Sequence, residues 1–248
     1  GPLQRMKPRP NNPAALAVII GRAGSKGLPG KNAMLLADKP MICHTIDDAL
    51  AAESVDRVIV STDGDAIAAA ARSMNVEVVR RPVELANDTA TVDSAVRHAV
   101  QSIGDGSPIV VILYANVPLR PDDLIDRAVH ELIASGGDSV QSYSDVGKHH
   151  PYWMVTLDEH KRVSPHVKNA VYRRQDLPRL YLPDGGVIAV RREALFTVVE
   201  GQPHAFLGRD RRGIISPIGL VVDVHTAADF ALAESMMTNS APAAAIVG

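Results

Sequence analysis

Short apolar runs alternate along this chain with stretches of helical periodicity, and that alternation narrows the fold more than any bulk property does. Leu16-Ala-Val-Ile-Ile20, Arg57-Val-Ile-Val60, Val76-Glu-Val-Val79, Ile109–Tyr114, Val187-Ile-Ala-Val190 and Leu220–Val224 read as strands. Met41–Glu53, Ala66–Met74, Thr91–Ile103 and Pro121–Ala134 read as helices, and Thr226–Met237 closes the pattern as another. Within Thr91–Ile103 the apolar residues Val92, Ala95, Val96, Ala99, Val100 and Ile103 fall on one stripe. Apolar strands joined through amphipathic helices imply right-handed crossovers, hence a mostly parallel mixed sheet with helices on both faces. The expected class is α/β.

One domain over residues 14–240 accounts for the pattern, with an excursion over about 144–182 where periodicity weakens and His149, His150, Trp153, Lys168, Arg173 and Arg174 gather. Residues 1–13 are rich in Pro and Arg, lack a core pattern, and are expected to be a disordered arm whose Gly1-Pro2 reads as the scar of a cleaved tag. The net charge of −2 and the scarcity of aromatics argue against a nucleic-acid binder, which needs a basic face and stacking platforms. No apolar run is long enough to span a bilayer, so no membrane partner is expected. The single cysteine, Cys43, cannot form an internal disulfide and points to a reducing cytoplasm.

In an open α/β sheet, ligands sit beyond the carboxyl ends of the strands. The loop after Ile20 reads Gly21-Arg-Ala-Gly-Ser-Lys-Gly-Leu-Pro-Gly-Lys-Asn32. Its four glycines let backbone N–H groups approach an anion, and Arg22, Lys26 and Lys31 add three cations. The string is neither a Walker A loop nor a G-x-G-x-x-G dinucleotide turn. Read alone, it fits either a polyphosphate cradle or a solvated basic turn. A serine hydrolase elbow is a poorer match, because only one strand precedes Ser25 and three cations suit an anion better than an ester.

Further along stand Val60-Ser-Thr-Asp63, Arg81-Pro-Val-Glu-Leu-Ala-Asn-Asp88, Arg174-Gln-Asp-Leu-Pro178 with Asp184-Gly-Gly186, and Val222-Asp-Val-His-Thr-Ala-Ala-Asp-Phe230. Taken in order with the glycine-rich loop, these strings resemble the landmarks of the acylneuraminate cytidylyltransferase family, from about residue 16 to 237. The resemblance implies a Rossmann-like mononucleotide-binding domain with a dimerisation excursion. It also implies a nucleotidyltransferase that activates a nonulosonic, sialic-acid-like acid with CTP and releases pyrophosphate. By the same resemblance Arg22, Lys26 and Lys31 are catalytic. Arg22, Ala23, Gly24, Ser25, Lys31, Asn32, Arg81 and Asn116 bind the nucleotide, and Arg174, Gln175 and Asp184 face the sugar. A homodimer and Mg²⁺ follow from it too.

The chain departs from the family pattern at three places. Leu113-Tyr-Ala-Asn-Val-Pro-Leu-Arg120 replaces a Gln/Thr/Ser-bearing segment, which leaves use of another nucleoside triphosphate open, although Asn116 keeps donors and acceptors for a base. Asp184 stands where the family carries Asn, which bears on the choice of sugar; a 3-deoxy-octulosonate is the runner-up acceptor. The metal pair, two aspartates in the family, is here Asp223 and His225. An imidazole is a poor Mg²⁺ ligand. Three readings stand side by side: His225 beside the metal ligand, a different ion such as Mn²⁺, or a nucleotide-binding module without turnover.

Overall fold

The computed structural model describes residues 14–24 and 27–239; the expected arm over 1–13 lies outside them. Strands β1 (Ala15–Ile20), β2 (Leu35–Leu36) and β3 (Lys39–Pro40) precede helix α1 (Met41–Ala51). Next come β4 (Arg57–Thr62), α2 (Asp65–Ser73), β5 (Glu77–Arg80), α3 (Val92–Ser102), β6 (Ile109–Tyr114) and α4 (Leu124–Ser135). The second half runs through β7 (Ser139–Asp145), β8 (Val155–Leu157), β9 (Val163–Pro165), β10 (Tyr181–Arg191), α5 (Arg192–Leu195), β11 (Arg211–Ile215) and α6 (Ala227–Thr238).

Seven strands make the main sheet in the order β11-β7-β10-β6-β1-β4-β5. β10 is antiparallel to both its neighbours and the other pairs are parallel, which is the expected mostly parallel mixed sheet. Every residue of β1 is buried. Its alternate side chains serve two cores: Ala15, Ala17 and Ile19 pack with α1, α2 and α4, while Leu16, Val18 and Ile20 pack with α3 and α5. That double coverage is why the sequence shows an unbroken apolar run rather than alternation.

Local chemistry explains several helix ends. Thr91 caps α3 by accepting from the Ser94 N–H at 3.4 Å, and α4 stops at Gly136, whose φ of 68° an L side chain resists. α6 opens with a reciprocal capping box between Thr226 and Asp229.

Two sequence expectations change. Leu220–Val224 is not a strand: it makes one isolated bridge, between Val222 and Leu119. Val222 and Val224 are apolar because they pack with Leu36, Met41 and Ala233 under α6, not because they join a ladder. Conversely, β7 and β11 escape the apolar reading. β11 is the sheet edge, with one neighbour and mostly exposed side chains, so Arg211 and Arg212 are tolerated there. The excursion runs between β7 and β10 and contains the antiparallel hairpin of β8 and β9, whose side chains are exposed.

Candidate active site

β1, β4, β5 and β6 are parallel, so the loops after Ile20, Thr62, Arg80 and Tyr114 open on one edge of the sheet. They surround a cleft of about 310 Å³ that reaches Arg22, Lys31, Arg81, Thr91, Tyr114 and His225.

The glycine-rich loop is seated by close packing. A Cβ on Gly21 would lie 2.7 Å from the Ala115 Cβ, and one on Gly27 would lie 2.6 Å from the His225 carbonyl oxygen. Only glycine allows the loop to lie so near β6 on one side and the segment before α6 on the other. The Ala23 N–H donates to Asp63 Oδ1 at 2.8 Å, and Asn32 Nδ2 donates to the Arg22 carbonyl at 3.2 Å. Asn32 is buried, and its Oδ1 has no hydrogen-bond partner among the described residues, which leaves an unsatisfied acceptor in the cleft wall. Arg22 Nη1 pairs with Asp88 Oδ1 at 2.6 Å, tying the loop to the segment after β5.

Arg81 is held from behind: Nη2 donates to the Ser61 carbonyl at 3.0 Å and Nε to Ser61 Oγ at 3.3 Å. Burial pulls its pKa below the usual guanidinium value, and Asp63 opposes that. Burial also lowers Lys31, with Asp223 raising it and Arg22 lowering it further. Lys31 therefore feels both the Arg22 guanidinium and a carboxylate on the segment before α6.

That carboxylate is Asp223. Asn116 Nδ2 donates to its Oδ1 at 2.5 Å, and His225 Nε2 lies 2.8 Å from its Oδ2. Tyr114 is mostly buried at the cleft wall, which raises its phenol pKa, and Asp223 adds to the rise. Asp229 is committed to the α6 cap, accepting from the N–H groups of His225 and Thr226 at 2.9 Å each.

Of the residues singled out in the sequence, Arg22, Gly24, Lys31, Asn32, Arg81, Asn116 and His225 line this cleft. Ala23 and Asp223 adjoin it through the contacts above. Ser25 and Lys26 lie outside the described residues. Arg174 and Gln175 are elsewhere, in a second cavity of about 510 Å³ with Asp145, Gly147, His150 and Arg179. Asp184 is consumed locally: it accepts from Ser142 Oγ at 2.5 Å, Ser144 Oγ at 3.1 Å and the Gly186 N–H at 2.9 Å. These bonds fold a bulge in β10 between Pro183 and Ile188. Two carboxylates that matter to the loop, Asp63 and Asp88, had no assigned role; each ends a string quoted above, which was the available signal.

A cytidylyltransferase family model matches residues 16–200. The chain belongs to that family. The N-acylneuraminate cytidylyltransferase of Streptococcus agalactiae serotype V is 34% identical over 180 residues, covering 72% of this chain but 43% of the relative, so the match spans less than half of that enzyme. The CMP-N,N'-diacetyllegionaminic acid synthase of Legionella pneumophila is 32% identical over 229 residues, covering 90% of this chain and 95% of the relative. Among solved structures, a CMP:2-keto-3-deoxy-manno-octonic acid synthetase in complex with CTP superposes with a TM-score of 0.69 at 18% identity, covering 90% of this chain and 98% of that one; it shares the fold.

The cytidylyltransferase cleft also tests the implied metal. Among the described residues no cluster of three His, Cys, Asp or Glu side chains forms a site from protein alone. Mg²⁺ does not need one, since it is commonly held by one or two carboxylates together with substrate phosphates. Asp223, opposite the cationic loop, fits that arrangement. His225 is turned onto Asp223 and so fits the reading in which it stands beside the ligand.

Proposed function

We infer that this chain transfers the cytidylyl group of CTP to a nonulosonic acid. The anomeric hydroxyl attacks the α-phosphorus, the bond to the bridging oxygen of the β-phosphate breaks, pyrophosphate leaves, and the hydroxyl proton passes to water. The observation that carries this reading is that Arg22 and Lys31 line one cleft with Asn116 and His225, the two residues that hold Asp223, in a chain of this family.

Phosphoryl transfer asks a protein mainly for positioning and electrostatic stabilisation. Arg22 and Lys31 supply positive charge toward the triphosphate. Asn32 and Arg81 bound the nucleotide end, and the buried Asn32 Oδ1 is suited to accept from it. Mg²⁺, when bound, neutralises phosphate charge; Asp223 is the residue to hold it, and His225 orients that carboxylate. Near full-length similarity to the legionaminic acid synthase favours a nine-carbon acid over an octulosonate.

The working unit is a homodimer in this reading. Trp153, Met154, Val155, Leu157 and Tyr172 expose apolar surface on the excursion, more than a solvated loop has reason to carry. Arg174 and Gln175, set in the second cavity, meet a sugar acid there once a second copy completes the wall. A cytoplasmic setting agrees with the single, buried Cys43. Among the described residues, no helix is long and apolar enough to cross a membrane.

The test is pyrophosphate release with each of the four nucleoside triphosphates and a panel of ulosonic acids, with Mg²⁺ or Mn²⁺. Release with CTP and a nonulosonic acid supports the reading. Nucleotide binding without release under every combination overturns it in favour of a binding module. Sedimentation at micromolar concentration tests the dimer.

A further inference from the structure

The segment from Tyr114 to Arg120 contributes Tyr114 and Asn116 to the cleft lining and is fastened on two sides. On the cleft side it carries the segment that holds Asp223. The Val224 N–H donates to the Asn116 carbonyl at 2.8 Å, the Val222 N–H to the Leu119 carbonyl at 3.1 Å, and Asn116 Nδ2 to Asp223 itself. These bonds are the described ladder-like attachment of residues 222–224, which belong to no strand.

On its opposite side the segment is fastened to α1. Thr45 is fully buried, and its Oγ1 lies 3.2 Å from the Tyr114 carbonyl and 3.1 Å from the Val117 carbonyl, so that one hydroxyl proton serves both. Arg120 reinforces the clamp from within the core. Its Nη1 meets Asp48 Oδ2 at 2.7 Å, Nη2 the Val117 carbonyl at 2.9 Å, and Nε the Gly186 carbonyl at 3.0 Å. The last bond also catches the β10 bulge, where a Cβ on Gly185 would stand 3.5 Å from Val117 Cγ2 and 3.8 Å from Asp223 Oδ2.

We propose that Thr45 and Arg120 are positioning residues: from the buried side of the sheet they set where Asn116, and through it Asp223, stands in the cleft. Neither side chain lines the cleft. Their effect on turnover rests on the cytidylyl-transfer reading; their effect on the 222–224 segment does not. A carboxylate on an irregular segment has no ladder of its own to fix it, and misplacement by about 1 Å can cost up to about a hundredfold in rate.

Arg120 is a poor test, because removing a fully buried charge from its partner threatens the fold. Thr45→Val keeps the volume and deletes the hydroxyl, and Thr45→Ser restores it. Amide hydrogen exchange and kinetics are measured on both in the full chain. In Thr45→Val the Val222 and Val224 amides should exchange about tenfold faster while those of β1 and β4 do not, with kcat down about tenfold and KM for CTP within about twofold. Thr45→Ser should recover both. Unchanged exchange at Val222 and Val224, a uniform rise across the sheet, or a wild-type kcat in Thr45→Val would each overturn the proposal. If the exchange changes are local but the wild-type protein releases no pyrophosphate, the cytidylyl-transfer reading fails and the positioning claim stands.

Discussion

His225 Nε2 lies 2.8 Å from Asp223 Oδ2, while the other oxygen of the same carboxylate accepts from Asn116. In the cytidylyl-transfer reading the imidazole orients the Asp223 carboxylate instead of itself ligating a hard divalent ion.

Removing the imidazole should therefore weaken use of the ion more than binding of the nucleotide. For His225→Ala, the Mg²⁺ concentration giving half-maximal rate should rise about tenfold, the usual lower end for losing a group that orients a ligand. Pyrophosphate release across a Mg²⁺ titration reads this directly. An unchanged titration curve would free His225 from any such role.

Lys31 faces the cleft from a short turn and supports no core cluster. Lys31→Ala should lower kcat/KM about a hundredfold, as expected for losing a charge aimed at the reacting phosphates. Thermal stability should change by no more than about 1 kcal/mol, in line with substitutions away from the core. Wild-type turnover in this variant would take Lys31 out of the chemistry.

Gly27 tests the seating of the loop. Because a Cβ there would stand 2.6 Å from the backbone oxygen of His225, Gly27→Ala must lift the loop away from the Asp223 side of the cleft. KM for CTP should rise about tenfold, while the melting temperature stays close to wild type because the change is confined to a surface loop. Titration of CTP against initial rate, alongside a melting curve, separates this from unfolding.

The α6 cap carries a pH signature. The His225 N–H foremost, with Thr226 adding to it, holds the Asp229 carboxyl below its usual value although burial opposes them. A depressed carboxylate contributes stability that is present above its unfolded pKa of about 3.9 and is lost as pH falls through the lower folded value. Melting temperatures taken from about pH 5 down to about pH 2 should show Asp229→Asn less steep than wild type in that window. Parallel curves would show that Asp229 does not couple to folding there.

Much of this architecture was open to reading in one dimension. β1 and β6 appear as apolar runs because both faces of a central strand are buried, and α3 shows its stripe because one side meets the core. The glycine-rich cationic loop was legible for a different reason: its glycines and cations are contiguous, so their chemistry does not depend on the rest of the chain. The edge strand β11 was invisible, since a strand with one neighbour needs no apolar run. Leu220–Val224 misled, since packing under a helix and pairing in a sheet demand the same residues.

Sequence alone thus determined the α/β class, the cationic loop and the candidates on it, all products of local periodicity or of adjacent side chains. Only the tertiary structure decided which candidates meet. Asp223 is joined to Asn116 across 107 residues of chain, Asp184 is turned onto Ser142 and Ser144, and Arg174 is left in another cavity. Those outcomes follow from strand order and from the bulge in β10, which depend on how distant segments share hydrogen bonds and buried surface, a balance that no local pattern records.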